Sequence, residues 1–107
     1  MLKVINYNDY NSNMGIIIDI ESSEIFMQKH IPGAINIPYE KLLYNRDKLL
    51  SKNETYYIYC NGGHKSKRAV SILDAYGYNV VQLIKWKSKN KILLFLSKIN
   101  KYKYCNY

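Results

Sequence analysis

Apolar and polar positions along the chain divide it into short buried runs separated by segments of helical spacing. "LKVI" (2–5) is a short apolar run, and the asparagine-rich "NYNDYNSN" after it reads as a turn or a short helical detour. "GIIIDI" (15–20) is an unbroken β-branched run bounded by turn residues, the pattern of a strand buried on both faces, with Asp19 at its carboxyl end. In "SSEIFMQKH" (22–30) serines stand where an N-cap belongs and a glutamate falls in the first turn. That predicts a short helix with Ile25 and Phe26 facing inward. "IPGAINIP" (31–38) is punctuated by proline and glycine around a brief strand. "YEKLLYNRDKLL" (39–50) spaces Leu42, Leu43, Leu49 and Leu50 as one helix or two short ones would.

"TYYIY" (55–59) is a second buried strand, rich in residue types that strands favour. From Ser66, the residues Ala69, Val70, Ile72, Leu73 and Tyr76 fall mostly on one helical face, and Gly77 stands where a C-cap glycine belongs. "NVVQLI" (79–84) reads as a third strand, "KILLFLSKI" (91–99) as a closing amphipathic helix, and "NKYKYCNY" (100–107) as a fraying tail. Strands alternating with helices predict a doubly wound α/β fold, with a mainly parallel central sheet of about 4–5 strands and helices on both faces. No repeat or internal linker interrupts the 107 residues, so residues 1–107 are expected to form a single domain.

Composition narrows this picture only a little. The net charge of +8 draws anions of any kind, whether small oxyanions, nucleic acid or an acidic protein, and selects none of them. "MLKVINYNDYNSN" lacks the apolar core of a signal peptide, and "KILLFLSKI" is too short to cross a bilayer. A cytoplasmic location without membrane contact is therefore expected. Two cysteines, Cys60 and Cys105, make no disulfide framework, and both are expected as thiols.

The chemistry concentrates at Cys60. It ends a central strand, at the edge where open α/β sheets bind ligands, and "NGGHK" leads from it into a helix. Gly62 and Gly63 are expected to take φ angles closed to other residues, turning backbone N–H groups inward. With the positive end of the helix, Lys65 and His64, those groups surround the sulfur with positive potential, which favours the thiolate at neutral pH. The same ring of donors suits an anion delivered to the sulfur. A cysteine phosphatase would need an arginine six residues after its nucleophile to clamp phosphate, and Ser66 stands there.

"CNGGHKS", with Cys60, Gly63, Lys65 and Ser66 in register, resembles the C-x-x-G-x-[R/K]-S active-site loop of the rhodanese family of sulfurtransferases. A second stretch, "DIESSEIFMQKHIPGAINIP", is similar to the family's D-V-R-x-x-x-E-F-x-x-G-H-I-P-G-A-x-N-I-P signature. It matches without a gap at Asp19, Phe26, His30, Ile31, Pro32, Gly33, Ala34, Asn36, Ile37 and Pro38. The resemblance covers about residues 2–84. It implies a sulfurtransferase in which Cys60 takes a sulfane sulfur from a donor such as thiosulfate or a persulfide, carries it as Cys60–S–S⁻, and yields it to cyanide or a thiol. The backbone amides from Asn61 through Gly62, Gly63, His64 and Lys65 to Ser66 would hold the persulfide, Asp19 and His30 would support the surrounding loops, and no metal or organic cofactor is implied.

The chain departs from the family pattern at several positions. Lys65 replaces the usual arginine, keeping the charge but losing the planar fork that grips an oxyanion. Glu21 replaces the arginine after "D-V", a charge reversal, and Lys29 replaces the glycine before His30; Trp86 falls out of register with the family's tryptophan. These changes motivate an alternative in which the chain is a rhodanese-like module that binds a partner or senses redox state without turnover. Lys67 and Arg68 add a basic rim beside Lys65 that would steer an acidic protein or a tRNA acceptor. A third reading, a basic RNA- or protein-binding domain with an incidental cysteine, rests on the net charge alone.

Overall fold

The computed structural model describes residues 2–85. The predicted helix 91–99, the tail 100–107, Trp86 and Cys105 lie outside the described residues. In chain order the elements are β1 (Val4–Asn6), a 3-10 turn at Tyr7–Asp9, β2 (Ile16–Asp19), α1 (Ser23–Gln28), β3 (Ile35–Asn36), α2 (Tyr39–Tyr44), α3 (Arg46–Leu49), β4 (Thr55–Tyr59), α4 (His64–Ala75) and β5 (Asn79–Ile84). The five strands form one sheet in the order β1-β5-β4-β2-β3, and every pairing is parallel. Parallel pairing requires a crossover between neighbours, and it brings all the strand carboxyl ends to one edge. The α/β architecture read from the sequence is the one observed.

β2, β4 and β5 occupy the middle of the sheet and are buried almost throughout, as their continuous β-branched and aromatic runs require. Ile18, Tyr56, Ile58 and Val80 point to one face, where Leu42, Leu50, Ala69, Val70 and Leu73 from α2 to α4 cover them. Ile17, Tyr57, Tyr59, Val81 and Leu83 point to the other, against Ile31 and the partly buried Tyr7, Tyr10 and Met14. Successive residues alternate between the two clusters because side chains on a strand repeat every second residue. The segment 39–50 forms two helices, breaking at Asn45, which caps α2 and opens α3.

α1 begins where expected, with the Ser22 hydroxyl accepting the Ile25 N–H at 3.3 Å. Its inward face is not the one expected. Ile25 is 39% exposed, and no residue of α1 is buried. Phe26 stacks instead on the His30 ring, with centroids 3.8 Å apart. Six residues make fewer than two turns, too few to present an apolar stripe, so the local stacking partner decides the orientation. Among the described residues no helix is long and apolar enough to cross a membrane.

Candidate active site

Cys60 directly follows β4, with β2 and β5 on either side, so its sulfur sits at the carboxyl edge in the middle of the sheet. The chain then turns through Asn61, Gly62 and Gly63 into α4, which begins at His64, two residues earlier than the apolar periodicity indicated. Gly63 is the N-cap and lies in the left-handed region at φ +83°. An L side chain there costs roughly 1–2 kcal/mol, so the turn depends on glycine. Gly62, expected to share this property, has no positive φ. A Cβ built on it meets only His64 Cδ2, at 3.8 Å. One left-handed residue is enough to reverse the chain direction into a helix N-terminus.

This turn folds the loop around the sulfur. Gly63 N–H and Ser66 N–H both donate to Cys60 Sγ, at 3.2 Å each, and Ser66 Oγ lies 3.3 Å from it. Cys60 is 4% exposed. The two amides belong to the first turn of a twelve-residue helix, whose N–H groups have no intrahelical partners and carry the positive end of the helix dipole. An anion on sulfur therefore meets convergent donors fixed by backbone geometry.

Ser66 is fully buried and bonded on every side. Its hydroxyl lies 3.2 Å from Gly63 O, and Gln82 Nε2 donates to it at 3.0 Å. Gln82 Nε2 also donates to Gly63 O at 2.9 Å. Gln82 is a polar residue, 5% exposed, in the otherwise apolar strand β5, and its side chain shares the α4 face with Val80. Sequence reasoning did not assign it to the site. The available signal was its isolation in "NVVQLI", since a buried carboxamide in a strand needs partners.

The opposite rim is acidic. Glu21, 9% exposed, accepts the Asn61 N–H on Oε2 at 2.8 Å. The expectation that every amide from Asn61 to Ser66 faces the sulfur therefore fails at Asn61, whose N–H is held by this carboxylate. Asn36 fixes the strand end that carries Glu21, with Nδ2 donating to the carbonyls of Asp19 at 3.0 Å and Glu21 at 2.9 Å. Asp19 is buried and accepts the Glu21 N–H on Oδ1 at 2.9 Å. Burial raises the Asp19 carboxyl above its ordinary value; the Glu21 N–H bond opposes the rise, the Glu21 charge adds to it, and His30 lowers it. Burial, then Asp19, Cys60 and Glu21, push the Tyr59 phenol upward as well. Tyr59 thus stays a donor, reaching Asn61 Oδ1 at 3.3 Å.

His64 and Lys65 are exposed on the first turn of α4. Lys65 and Arg68 form the cationic wall of a groove of about 420 Å³ that His64 also lines, and its other wall includes Ile20, Pro38 and Tyr39. His30 is exposed, with Nδ1 2.8 Å from Phe26 O; it closes α1 and borders a small cavity lined also by Tyr59 and Asn61.

A doubly wound parallel sheet with a cysteine cradled at a helix N-terminus on its carboxyl edge defines a class of sulfur- and oxyanion-handling α/β domains. Residues 5–86 match the rhodanese-like domain, and the chain belongs to that family. It is 36% identical over 69 residues to the thiosulfate sulfurtransferase PspE of Escherichia coli, a match covering 61% of this chain and 64% of that protein. A 31% identity over 91 residues links it to the adenylyltransferase and sulfurtransferase UBA4 of Meyerozyma guilliermondii, across 78% of this chain and 22% of that protein. The chain thus spans under two thirds of the length of the first relative and about a fifth of the second. Among solved structures, a rhodanese-related protein from Thermoplasma volcanium superposes with a TM-score of 0.69 at 28% identity, covering 76% of this chain and 82% of that one.

Proposed function

We propose that this chain is a rhodanese-type sulfurtransferase in which Cys60 carries sulfane sulfur as a persulfide. The observation that carries the reading is the convergence of Gly63 N–H and Ser66 N–H on a sulfur at the carboxyl edge of the sheet, with Ser66 Oγ 3.3 Å away. The Cys60 thiolate attacks the outer sulfur of thiosulfate; the new S–S bond forms as the old one breaks, and sulfite leaves with the electron pair. The outer sulfur of Cys60–S–S⁻ is then attacked by cyanide or an acceptor thiolate, which departs as thiocyanate or a new persulfide and returns Cys60 as thiolate. Two displacements replace one difficult transfer. Charge is conserved in each, and no step needs a metal or an organic cofactor.

The groove beside the loop suits an acceptor with an apolar body and a negative group, since Ile20, Pro38 and Tyr39 face the cationic side chains of Lys65 and Arg68. A protein or tRNA acceptor with negative charge would meet the same rim. A reducing, cytoplasmic setting, where the thiol persists, would suit this chemistry. A second reading, a rhodanese-like binding or redox-sensing module without turnover, draws on Glu21, which withdraws one loop amide and sets a carboxylate against the residue that follows Cys60.

The test is the intact mass of the protein after incubation with thiosulfate, and separately with a persulfide donor, for wild type, Cys60→Ser and Cys105→Ser. Transfer predicts one added sulfur that requires Cys60, survives Cys105→Ser, and disappears on adding cyanide or thiol. A folded, thiol-intact protein that gains no sulfur from either donor would overturn the enzyme reading in favour of the binding module.

A further inference from the structure

Gly63 O is surrounded by more donors than it has lone pairs. Lys67 N–H reaches it at 3.1 Å as the first helical bond of α4, Gln82 Nε2 reaches it at 2.9 Å, and Ser66 Oγ lies 3.2 Å away. A carbonyl oxygen offers two lone pairs. The Lys67 N–H and one Gln82 Nε2 proton occupy both. The Gln82 carboxamide cannot be turned over, because its oxygen would then face Gly63 O, acceptor against acceptor. Its second Nε2 proton goes to Ser66 Oγ, occupying one lone pair there. The Ser66 hydroxyl proton is left as the surplus donor, and its remaining neighbour is Cys60 Sγ, at 3.3 Å.

We propose that Gln82 is a positioning residue that directs the Ser66 hydroxyl proton onto the Cys60 sulfur, giving the thiolate a third donor beside the Gly63 and Ser66 amides. It does so by displacing that proton from Gly63 O and by fixing the hydroxyl oxygen in place from the β5 side. When the sulfur is a neutral thiol, its S–H points to Ser66 Oγ and the Ser66 proton must share Gly63 O with two other donors. When the sulfur is an anion, each acceptor is matched to its donors. The arrangement therefore favours the ionised sulfur through Ser66, although Gln82 makes no contact with it.

This inference rests on Cys60 being the reactive sulfur, but its test does not require sulfur transfer. The rate of Cys60 alkylation by iodoacetamide is followed against pH in wild type, Gln82→Met, Ser66→Ala and the double variant, all in a Cys105→Ser background. Asp19 and Glu21 at the end of β2, Tyr59 on β4, and His64 and Lys65 on α4 are the titratable neighbours, and none is altered across this set. Loss of one net hydrogen bond to the anion moves the alkylation midpoint upward by roughly 1–2 pH units in Gln82→Met. In the Ser66→Ala background the same change adds nothing, because the proton it directs is gone. Gln82→Asn, which keeps the amide but falls one methylene short, provides a polar replacement should methionine prevent folding, and it shifts the midpoint in the same direction. An unmoved midpoint in a folded Gln82 variant, or an equal shift with and without the Ser66 hydroxyl, would overturn the proposal and leave Gln82 a structural residue. Failure of persulfide formation with these shifts intact would instead count against the transferase reading.

Discussion

Replacing Glu21 by glutamine isolates the effect of a single charge on the chemistry at Cys60. Glu21 Oε2 accepts the Asn61 N–H at 2.8 Å, and a glutamine Oε1 can accept the same bond, so Glu21→Gln removes the charge and keeps the loop anchored. Asn61 is covalently joined to Cys60. Adding the 2.8 Å contact to the bond lengths from Asn61 N through the Cys60 carbonyl carbon, Cα and Cβ puts the carboxylate within about 9 Å of the sulfur. At that separation, one unit of like charge costs between about 0.5 kcal/mol in water and about 1.8 kcal/mol at an effective dielectric constant near 20. Glu21 is 9% exposed, which places the interaction nearer the upper figure. The assay is the ratio of Cys60 alkylation rates with anionic iodoacetate and neutral iodoacetamide, in which the fraction of thiolate cancels. Glu21→Gln is expected to raise this ratio roughly tenfold, within limits of about 2- and 20-fold set by the two dielectric values. A change smaller than twofold in the folded variant would refute the assignment of Glu21 as the charge that repels anionic donors.

Gly63→Ala places a side chain at φ +83°, at a cost of roughly 1–2 kcal/mol, and displaces an N–H that points at the sulfur. Denaturant unfolding should show that loss together with slower alkylation of Cys60, whereas Gly62→Ala, with no positive φ and its nearest contact at 3.8 Å, should leave both nearly unchanged. Asp19→Asn retains an acceptor for the Glu21 N–H and removes a carboxyl that burial holds above its ordinary value. The folded state binds a proton at Asp19 more readily than the unfolded state, so this group's contribution to stability improves as pH falls through the raised folded value toward the unfolded value near 3.9. Melting temperatures should therefore favour the variant at pH 7, with the gap narrowing toward pH 4; a gap that widens on acidification would reverse the assignment.

The elements legible in the sequence were those whose burial is continuous. β2 and β4 announce themselves as β-branched and aromatic runs, and β5 as an apolar run broken only by Gln82, because both of their faces are covered. β1, with three residues and an exposed Val4, shows only as a short apolar run. The Ser22 cap is a local interaction and could be read locally, but the face of α1 could not, because its orientation follows the ring stack of Phe26 on His30. The start of α4 was misplaced by two residues for a similar reason. Gly63 caps that helix through its backbone conformation and leaves no side-chain signature. In the site, Cys60, Gly63 and Ser66 lie within seven residues and could be grouped by motif. Gln82 acts from 16 and 19 residues away, and Glu21 meets Asn61 across 40. A lone polar residue in a strand and a charge reversal in a motif each mark a position as unusual, but their roles depend on which strands the sheet sets side by side.

In the proposed roles those two residues act on the same sulfur in opposite directions, and sulfur transfer would benefit from the opposition. Donors aimed at a thiolate increase its population, yet they also withdraw electron density, and intrinsic nucleophilicity falls about threefold for each unit by which the thiol is acidified. Once the sulfur is fully ionised at working pH, further stabilisation only slows its attack. The Gly63 and Ser66 amides, with the hydroxyl that Gln82 directs, supply the stabilisation. Glu21 limits it by holding the Asn61 amide and adding a negative charge nearby. In the proposed transferase the same balance would extend to the persulfide, which would have to be held long enough to meet an acceptor and still give up its outer sulfur. Glu21→Gln should accordingly make the thiolate easier to form and, at pH values where both proteins are fully ionised, slower toward neutral iodoacetamide. An equal or higher plateau rate with that reagent would show that Glu21 screens approaching anions without tuning the sulfur itself.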